Sequence, residues 1–334
     1  MAEYDLLCIG NAIVDVISHC EEDFLTKESI QKGGMTLIDT ARAEQLYDAM
    51  PPGMEASGGS AANTIACFTS LEGKGAFIGK VADDQLGSIF SHDIRSIGIA
   101  FNSEPNRGEG EPTARCLILV TPDGERSMNT FLGACTELGP EDIDEALVKA
   151  SKVTYFEGYL WDPPRAKEAI VKAAKAAHEA GNEVAMTLSD AFCVERYRAE
   201  FLDLLRSGTV DIVFANEAEA LSLYETDNLD DALDGLGRDA PKLAVVTRSE
   251  KGCIIVEGQA RTVVPASKVE KVLDATGAGD AFAGGFLKGY IDGMPSELCG
   301  RLGVECAAHI IAKVGARPER PLKELSAVQT MLAA

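Results

Sequence analysis

The sequence predicts an α/β protein, a mostly parallel sheet with helices on both faces and a small accessory sheet beside it. Three observations carry this. Short apolar runs such as "YDLLCIG", "VTYFEG", "EVAMTL", "DIVFAN" and "LAVVT" read as buried strands. Helical patterns separate them from residue 151 to 257, which predicts βαβ units. Residues 12–40 and 98–132 break that rhythm with short strand-like pieces and turn signals ("KGG", "GEGEP", "TPDGE"), and read as the accessory sheet placed to cover a site.

Taken in order, "YDLLCIG" opens the main sheet. "SGGSAANTIACFTSL" at 57–71 follows: Gly58 and Gly59 end a loop, Ser60 suits an N-cap, and Ile65 and Phe68 begin an apolar face. Asn63 then falls in the first turn, near the helix mouth. "RCLILVT" and "VTYFEG" are the next strands. Residues 163–180 are rich in helix formers, with Pro163 and Pro164 at the opening turn and Gly181 at the stop. Residues 192–206 and 216–224 also read as helices. In "FANEAEAL", Asn216 is an N-cap and Glu219, three residues on, completes a capping box.

Composition narrows the function. Lys and Arg number 31 against 53 Asp and Glu, for a net charge of −22. Such a surface repels phosphate backbones and anionic membranes, so a nucleic-acid polymer is not an expected partner. A small anion held by local donors and a metal stays compatible. Nine cysteines, none in Cys-x-x-Cys, read as free thiols of a reducing compartment, and the expected location is the cytoplasm. The N-terminus has no signal-peptide pattern, and no stretch of about 18 uncharged apolar residues predicts a membrane span. The chain holds no G-x-x-x-x-G-K-[ST], no G-x-G-x-x-G after a strand and no His-Glu-x-x-His. The missing dinucleotide fingerprint disfavours an oxidoreductase.

The densest signal is "DATGAGDAFAGGF" at 274–286. Phe282, Phe286 and Tyr290 recur every four residues on one helix face, which puts Gly277–Gly279 at the helix N-terminus. Bare backbone there, with the positive end of the helix dipole, makes an anion hole suited to a phosphoryl group. Asp280 stands in the first turn, facing the same spot. The plain alternative is that Asp280 only favours the dipole. That does not explain Gly284 and Gly285 inside the helix, each costing about 1 kcal/mol relative to alanine. Close packing or ligand approach does.

Together "DATGAGDAFAGGF", "GGSAAN", "IGKVADDQLG" at 78–87 and "ANEAE" resemble, in order and spacing, the motif set of the PfkB/ribokinase family of small-molecule kinases across nearly the whole chain. The resemblance implies a single doubly wound kinase domain over 1–334, with 12–40 and 98–132 forming a β lid. It implies transfer of the ATP γ-phosphate to a primary hydroxyl. By resemblance Asp280 is the base, and the amides of Gly277, Ala278 and Gly279 hold the developing charge. Asn216 and Glu219 organise Mg²⁺ and its waters. Thr247 ends a strand beside the nucleotide and the loop runs on to Gly252. The family has a glycine where Ser249 stands here, which puts the path of that loop in question. Asp274 and Thr276 resemble positions that hold a monovalent cation such as K⁺ in some members.

The acceptor side is expected at the end of the first strand. By resemblance Asn11 and Asp15, with Gly58, Gly59, Ser60 and Asn63, form its polar wall. A carboxylate accepts hydrogen bonds from two neighbouring hydroxyls, as a ribose diol presents them. "VTYFEGYLWDPP", "TLSDAF" and "ERSMNTFLGA" resemble adenosine kinases more than ribokinases or fructokinases. Ile13, Cys116, Tyr159 and Phe192 then wall a purine, though each reads equally well as ordinary packing. Arg126 reads as a phosphate or lid contact, or as a surface arginine. The expected reaction is phosphorylation of the adenosine 5′-hydroxyl. Its alternatives are a carbohydrate kinase acting on free ribose or fructose, and a non-catalytic nucleoside or sugar sensor. An open lid edge admits a homodimer, and a monomer fits equally.

Overall fold

The structure, a computed structural model, describes residues 2–108 and 110–332. Its strands follow one another along the chain as β1 (Tyr4–Ile9), β2 (Val14–His19), β3 (Met35–Leu37), β4 (Met54–Ser57), β5 (Gly75–Ile78), β6 (Arg115–Val120), β7 (Arg126–Phe131), β8 (Ser151–Glu157), β9 (Glu183–Thr187), β10 (Ile212–Asn216), β11 (Leu243–Thr247), β12 (Cys253–Glu257) and β13 (Ala260–Val264). They form an eight-stranded sheet, β13-β12-β11-β10-β9-β8-β1-β5, and a five-stranded one, β3-β7-β6-β2-β4.

In the large sheet β5, β1, β8, β9, β10 and β11 run parallel, and β12 and β13 close one edge as antiparallel strands. Parallel strands covered on both faces must be apolar at successive positions. Accordingly Leu6 and Cys8 of β1 enter one core while Leu7 and Ile9 enter the other. Ile212 and Phe214 of β10 divide from Val213 and Ala215 in the same way. The chain winds from β1 outward to β5 and later from β8 to β11, so strand order reverses between β1 and β8. That switch point, at the carboxyl ends of the strands, is where open α/β sheets form binding crevices.

The helices at 163–180 and 192–206 appear as Pro164–Glu179 and Ala191–Arg206. The glycine-rich segment gives the Ala278–Ile291 helix, with Gly277 (φ +77°) as its left-handed N-cap. Gly284 and Gly285 are explained by packing: an added Cβ would lie 2.6 Å from Thr64 O at Gly284 and 2.9 Å from Leu302 O at Gly285. This helix therefore touches backbone on two sides, against the Ser60–Thr69 and Ser296–Ile311 helices.

The small sheet draws β2 and β3 from within 12–40 and β6 and β7 from within 98–132. Its boundaries differ from those expected in two places. β4 lies outside both segments, and the described residues of 98–114 form no strand of this sheet. They bridge back toward the main domain, Ala100 to Ala76 and Asn106 to Ala82. The four residues "MEAS" of β4 are too short to show alternation beside the proline and glycine turn before them. One face of the small sheet packs Val16, Leu117 and Leu119 against Leu25 and Leu46. The other carries Asp15, Cys116 and Thr130 side by side in register.

Candidate active site

Asp280 is the third residue of its helix, half-buried beneath the open N-terminal turn. Ser60 Oγ donates to its Oδ1 at 2.6 Å and Asn63 Nδ2 to its Oδ2 at 3.1 Å. Burial raises its pKa to about 6, while Ser60, Asn63 and the Arg317 charge pull the other way. Ser60 was expected as an N-cap. Instead Gly59 (φ +93°) is the cap, because an added Cβ there would fall 2.2 Å from Asn11 O, and Ser60 is the first helical residue. That one-residue shift frees its hydroxyl for Asp280.

Gly279 lies open, with nothing within 4 Å of the place a Cβ would occupy. Two cavities meet at this backbone. One, of about 320 Å³, is lined by Ser60, Tyr159, Asn216, Glu219, Thr247 and the run Gly277–Asp280. The other, of about 570 Å³ and more apolar, shares Thr247, Ala278, Gly279 and Phe282 and extends to Ser249, Gly252, Val269 and Ile311. Ser249 holds φ +50°, a left-handed conformation that favours glycine.

Asn216 and Glu219 form the expected capping box. Asn216 Oδ1 accepts Glu219 N at 2.9 Å, and Glu219 Oε2 accepts Asn216 N at 3.0 Å. Burial raises Glu219 to about 7. No cluster of three or more His, Cys, Asp or Glu suited to a metal exists among the described residues. Mg²⁺ suits such a place, since it keeps waters and is held by one or two carboxylates together with substrate phosphates.

On the lid side, Asp15 Oδ2 lies 2.5 Å from where a Gly58 Cβ would stand, so the carboxylate rests directly over that glycine. Burial and the neighbouring Asp280 and Asp274 raise Asp15 to about 6, against Arg317 and Arg126. Cys116 is buried beside it and bonds Thr130 Oγ1 at 3.3 Å. Ile13 is half-buried against the adjoining core. Tyr159 lines the smaller cavity, with its N donating to Ser189 Oγ at 3.3 Å and its hydroxyl to Ser189 O at 3.4 Å.

Two expectations are corrected. Phe192 lies 64% exposed with the Arg196 guanidinium 4.5 Å from its ring centre, and lines neither of the two cavities at the glycine loop. It is the second residue of its helix, where Asp190 caps the turn and Cys193 and Val194 take the buried face. Asp274 and Thr276 do not stand free for a monovalent cation. Arg126 Nη1 bonds Asp274 Oδ2 and reaches Thr276 Oγ1 at 3.0 Å, and Gly315 N donates to Asp274 at 2.9 Å. A guanidinium from β7 already neutralises the carboxylate and ties the small sheet to the glycine loop.

Two further residues shape the site. Glu157, at the end of β8, is buried and accepts Asn11 N at 3.0 Å, Asn11 Nδ2 at 2.6 Å and Ala61 N at 2.7 Å. Asn11 is thus held by Glu157, and the same carboxylate anchors the helix that carries Ser60 and Asn63. A carboxylate closing the apolar run "VTYFE" was a readable signal for it. Arg317 reaches Ser57, Gly58 and Asn63 from a loop near the C-terminus, and nothing in the local sequence marked it.

This architecture defines a ribokinase-like α/β kinase fold, with an anion-binding helix terminus at the switch point of the large sheet. The chain matches the family model described as "pfkB family carbohydrate kinase" over residues 5–323 and belongs to that family. It is 58% identical to an adenosine kinase structure from Sinorhizobium meliloti, with full coverage of both chains and a TM-score of 0.90. A probable sugar kinase from Rhizobium etli CFN 42 is 55% identical, covers 99% of this chain and 100% of its own, and has a TM-score of 0.92. The adenosine kinase of Saccharomyces cerevisiae is 29% identical over 96% of this chain and 98% of its own.

Proposed function

We propose that this kinase transfers the γ-phosphate of ATP to the 5′-hydroxyl of adenosine, giving ADP and AMP. The observation that carries the reading is Asp280, hydrogen-bonded by Ser60 and Asn63 and set beside the open Gly279 backbone. Its likeness to adenosine kinases of bacterial and yeast origin supports the acceptor.

In this reading the hydroxyl proton passes to Asp280 as the oxygen attacks phosphorus. Phosphoryl transfer needs alignment and charge neutralisation more than covalent chemistry. The amides of Gly277 and Gly279 supply fixed donors for the transferring group, whereas the expected third donor, Ala278 N, is turned to Ala275 O at 3.2 Å. Magnesium bound with the nucleotide neutralises phosphate charge, and Asn216 and Glu219 would orient its waters. Thr247, Ser249 and Gly252 border the more apolar cavity, which suits the nucleotide. Asp15 accepts the ribose hydroxyls over Gly58 and Gly59, with Asn11, Ile13, Cys116 and Tyr159 around the rest of the acceptor. The small sheet acts as a lid that excludes water as a competing acceptor. The nine buried, unpaired thiols support a reducing, cytoplasmic setting. Exposed Met35 and Leu37 on edge strand β3 support pairing with a second copy, which light scattering of the purified protein tests directly.

The 55% identity to a probable sugar kinase keeps a free sugar as the second reading. ADP release over a panel of nucleosides and free sugars separates the two. Adenosine is expected to give the highest kcat/KM with AMP as product; a higher value for ribose or fructose establishes the sugar reading instead.

A further inference from the structure

Arg317 joins the loop following the Ser296–Ile311 helix to the residues that hold Asp280. Its Nε donates to Asn63 Oδ1 at 3.0 Å, its Nη2 to Gly58 O at 3.3 Å, and its Nη1 to Ser57 Oγ. Asn63 passes the contact on, since its Nδ2 donates to Asp280 Oδ2. An asparagine amide has an acceptor end and a donor end. A cationic donor on Oδ1 fixes which end faces the carboxylate. With the amide reversed, an oxygen would oppose Asp280.

The surroundings are otherwise unfavourable to a charged base. Burial raises Asp15 and Asp280 to about 6 and Glu157 to about 7. Asp280 faces Ser60, Asn63 and Cys67 on one helix, Cys8 on β1, and Tyr155 and Glu157 on β8, with Asp15 across on β2. Asp274, on its own loop, is occupied by Arg126. Arg317 is the cation that acts on both Asp15 and Asp280. Its own pKa is lowered by burial yet supported by those carboxylates, and arginine stays charged in proteins.

We propose that Arg317 is a positioning residue for phosphoryl transfer: it orients the Asn63 amide toward Asp280 and supplies the positive charge shared by the base and the acceptor carboxylate. This rests on the reading of Asp280 as base. Arg317 does not line the cavity that holds Asp280; with Ser57, Ala66 and Thr69 it lines another, of about 530 Å³.

The test is the pH profile of kcat/KM for adenosine in wild type, Arg317→Lys, Arg317→Met and Arg317→Ala, with nucleotide binding measured alongside. Arg317→Met is expected to move the acidic limb upward by about one unit or more, which is about tenfold at a pH below both limbs. Activity recovers toward wild type at pH 8.5, and the nucleotide Kd stays unchanged. Arg317→Lys, which keeps charge but loses the Nε bond to Asn63, falls between. Guanidinium ion restores part of the Arg317→Ala activity through the adjoining cavity. An acidic limb unmoved in both the Lys and Met variants overturns the inference, and so does a loss uniform across pH. Asp280→Asn, run in parallel, separates the two claims. If it is inactive and the Arg317 limb is unmoved, only this inference fails; if it keeps turnover, the base assignment fails first.

Discussion

Ser60 and Asp280 are separated by 220 residues and joined by a 2.6 Å hydrogen bond. The two glycine-rich segments of the chain thus meet at one carboxylate. Each segment alone gives an ordinary helix start. Their contact sets a base beside an anion cradle.

That bond stabilises the ionised form of Asp280, whose pKa burial raises to about 6. The base works deprotonated, so kcat/KM should fall as pH drops through about 6. Ser60→Ala removes a hydrogen bond to a charged group, worth about 1.5–3 kcal/mol. The acidic limb should move to higher pH and kcat at pH 6.5 should drop. A pH–rate profile of the variant checks this; an unshifted limb means Ser60 does not tune the base.

Gly279 and Gly284 lie five positions apart in one helix and should respond oppositely to alanine. At Gly279 the added methyl meets nothing within 4 Å and enters the cavities. Gly279→Ala should keep or slightly raise the wild-type Tm and lose turnover. At Gly284 it meets Thr64 O at 2.6 Å. Overpacking costs about 1–3 kcal/mol against a helix gain of about 1 kcal/mol. Gly284→Ala should lower Tm. Thermal melts and steady-state rates of both variants distinguish the two roles.

Glu157 has a folded pKa raised to about 7, above its unfolded value. A carboxyl raised in this direction contributes stability that is full below its unfolded pKa, near 4.5, and is lost as pH rises through about 7. Glu157→Gln does not titrate, so wild type should lose its advantage over the variant between pH 5 and pH 8. Paired Tm measurements across that range check the sign. A gap that widens with pH contradicts it.

Asp15 should act on the acceptor alone. Asp15→Ala is expected to raise the acceptor KM by about 10-fold or more, the worth of one charged hydrogen bond. The ATP KM should change little. An unaltered acceptor KM removes Asp15 from the acceptor wall.

Much of this site was legible because its chemistry lies in local pattern. The sheet strands are continuous apolar runs, and Gly277–Asp280 announces a helix terminus through its lack of side chains. The Asn216–Glu219 capping box is likewise a contact between residues three apart. What pattern did not show depends on long-range closure. Arg317 meets Asn63 across 254 residues, and Arg126 meets Asp274 across 148. Neither contact leaves a periodicity in the chain. Phe192 was misplaced for a related reason: an aromatic residue at a helix start reads as wall or core packing until the helix is rotated into place. Ser60 differed by one position, enough to change a cap into a donor.

Asp280→Asn in a single-turnover assay with ATP, Mg²⁺ and adenosine shows whether Asp280 is the base. The side chain keeps its size but loses its proton-accepting charge. The rate is expected to fall by about 10²–10⁴-fold, the usual worth of general base catalysis, with ATP binding retained. Turnover near the wild-type rate contradicts that role.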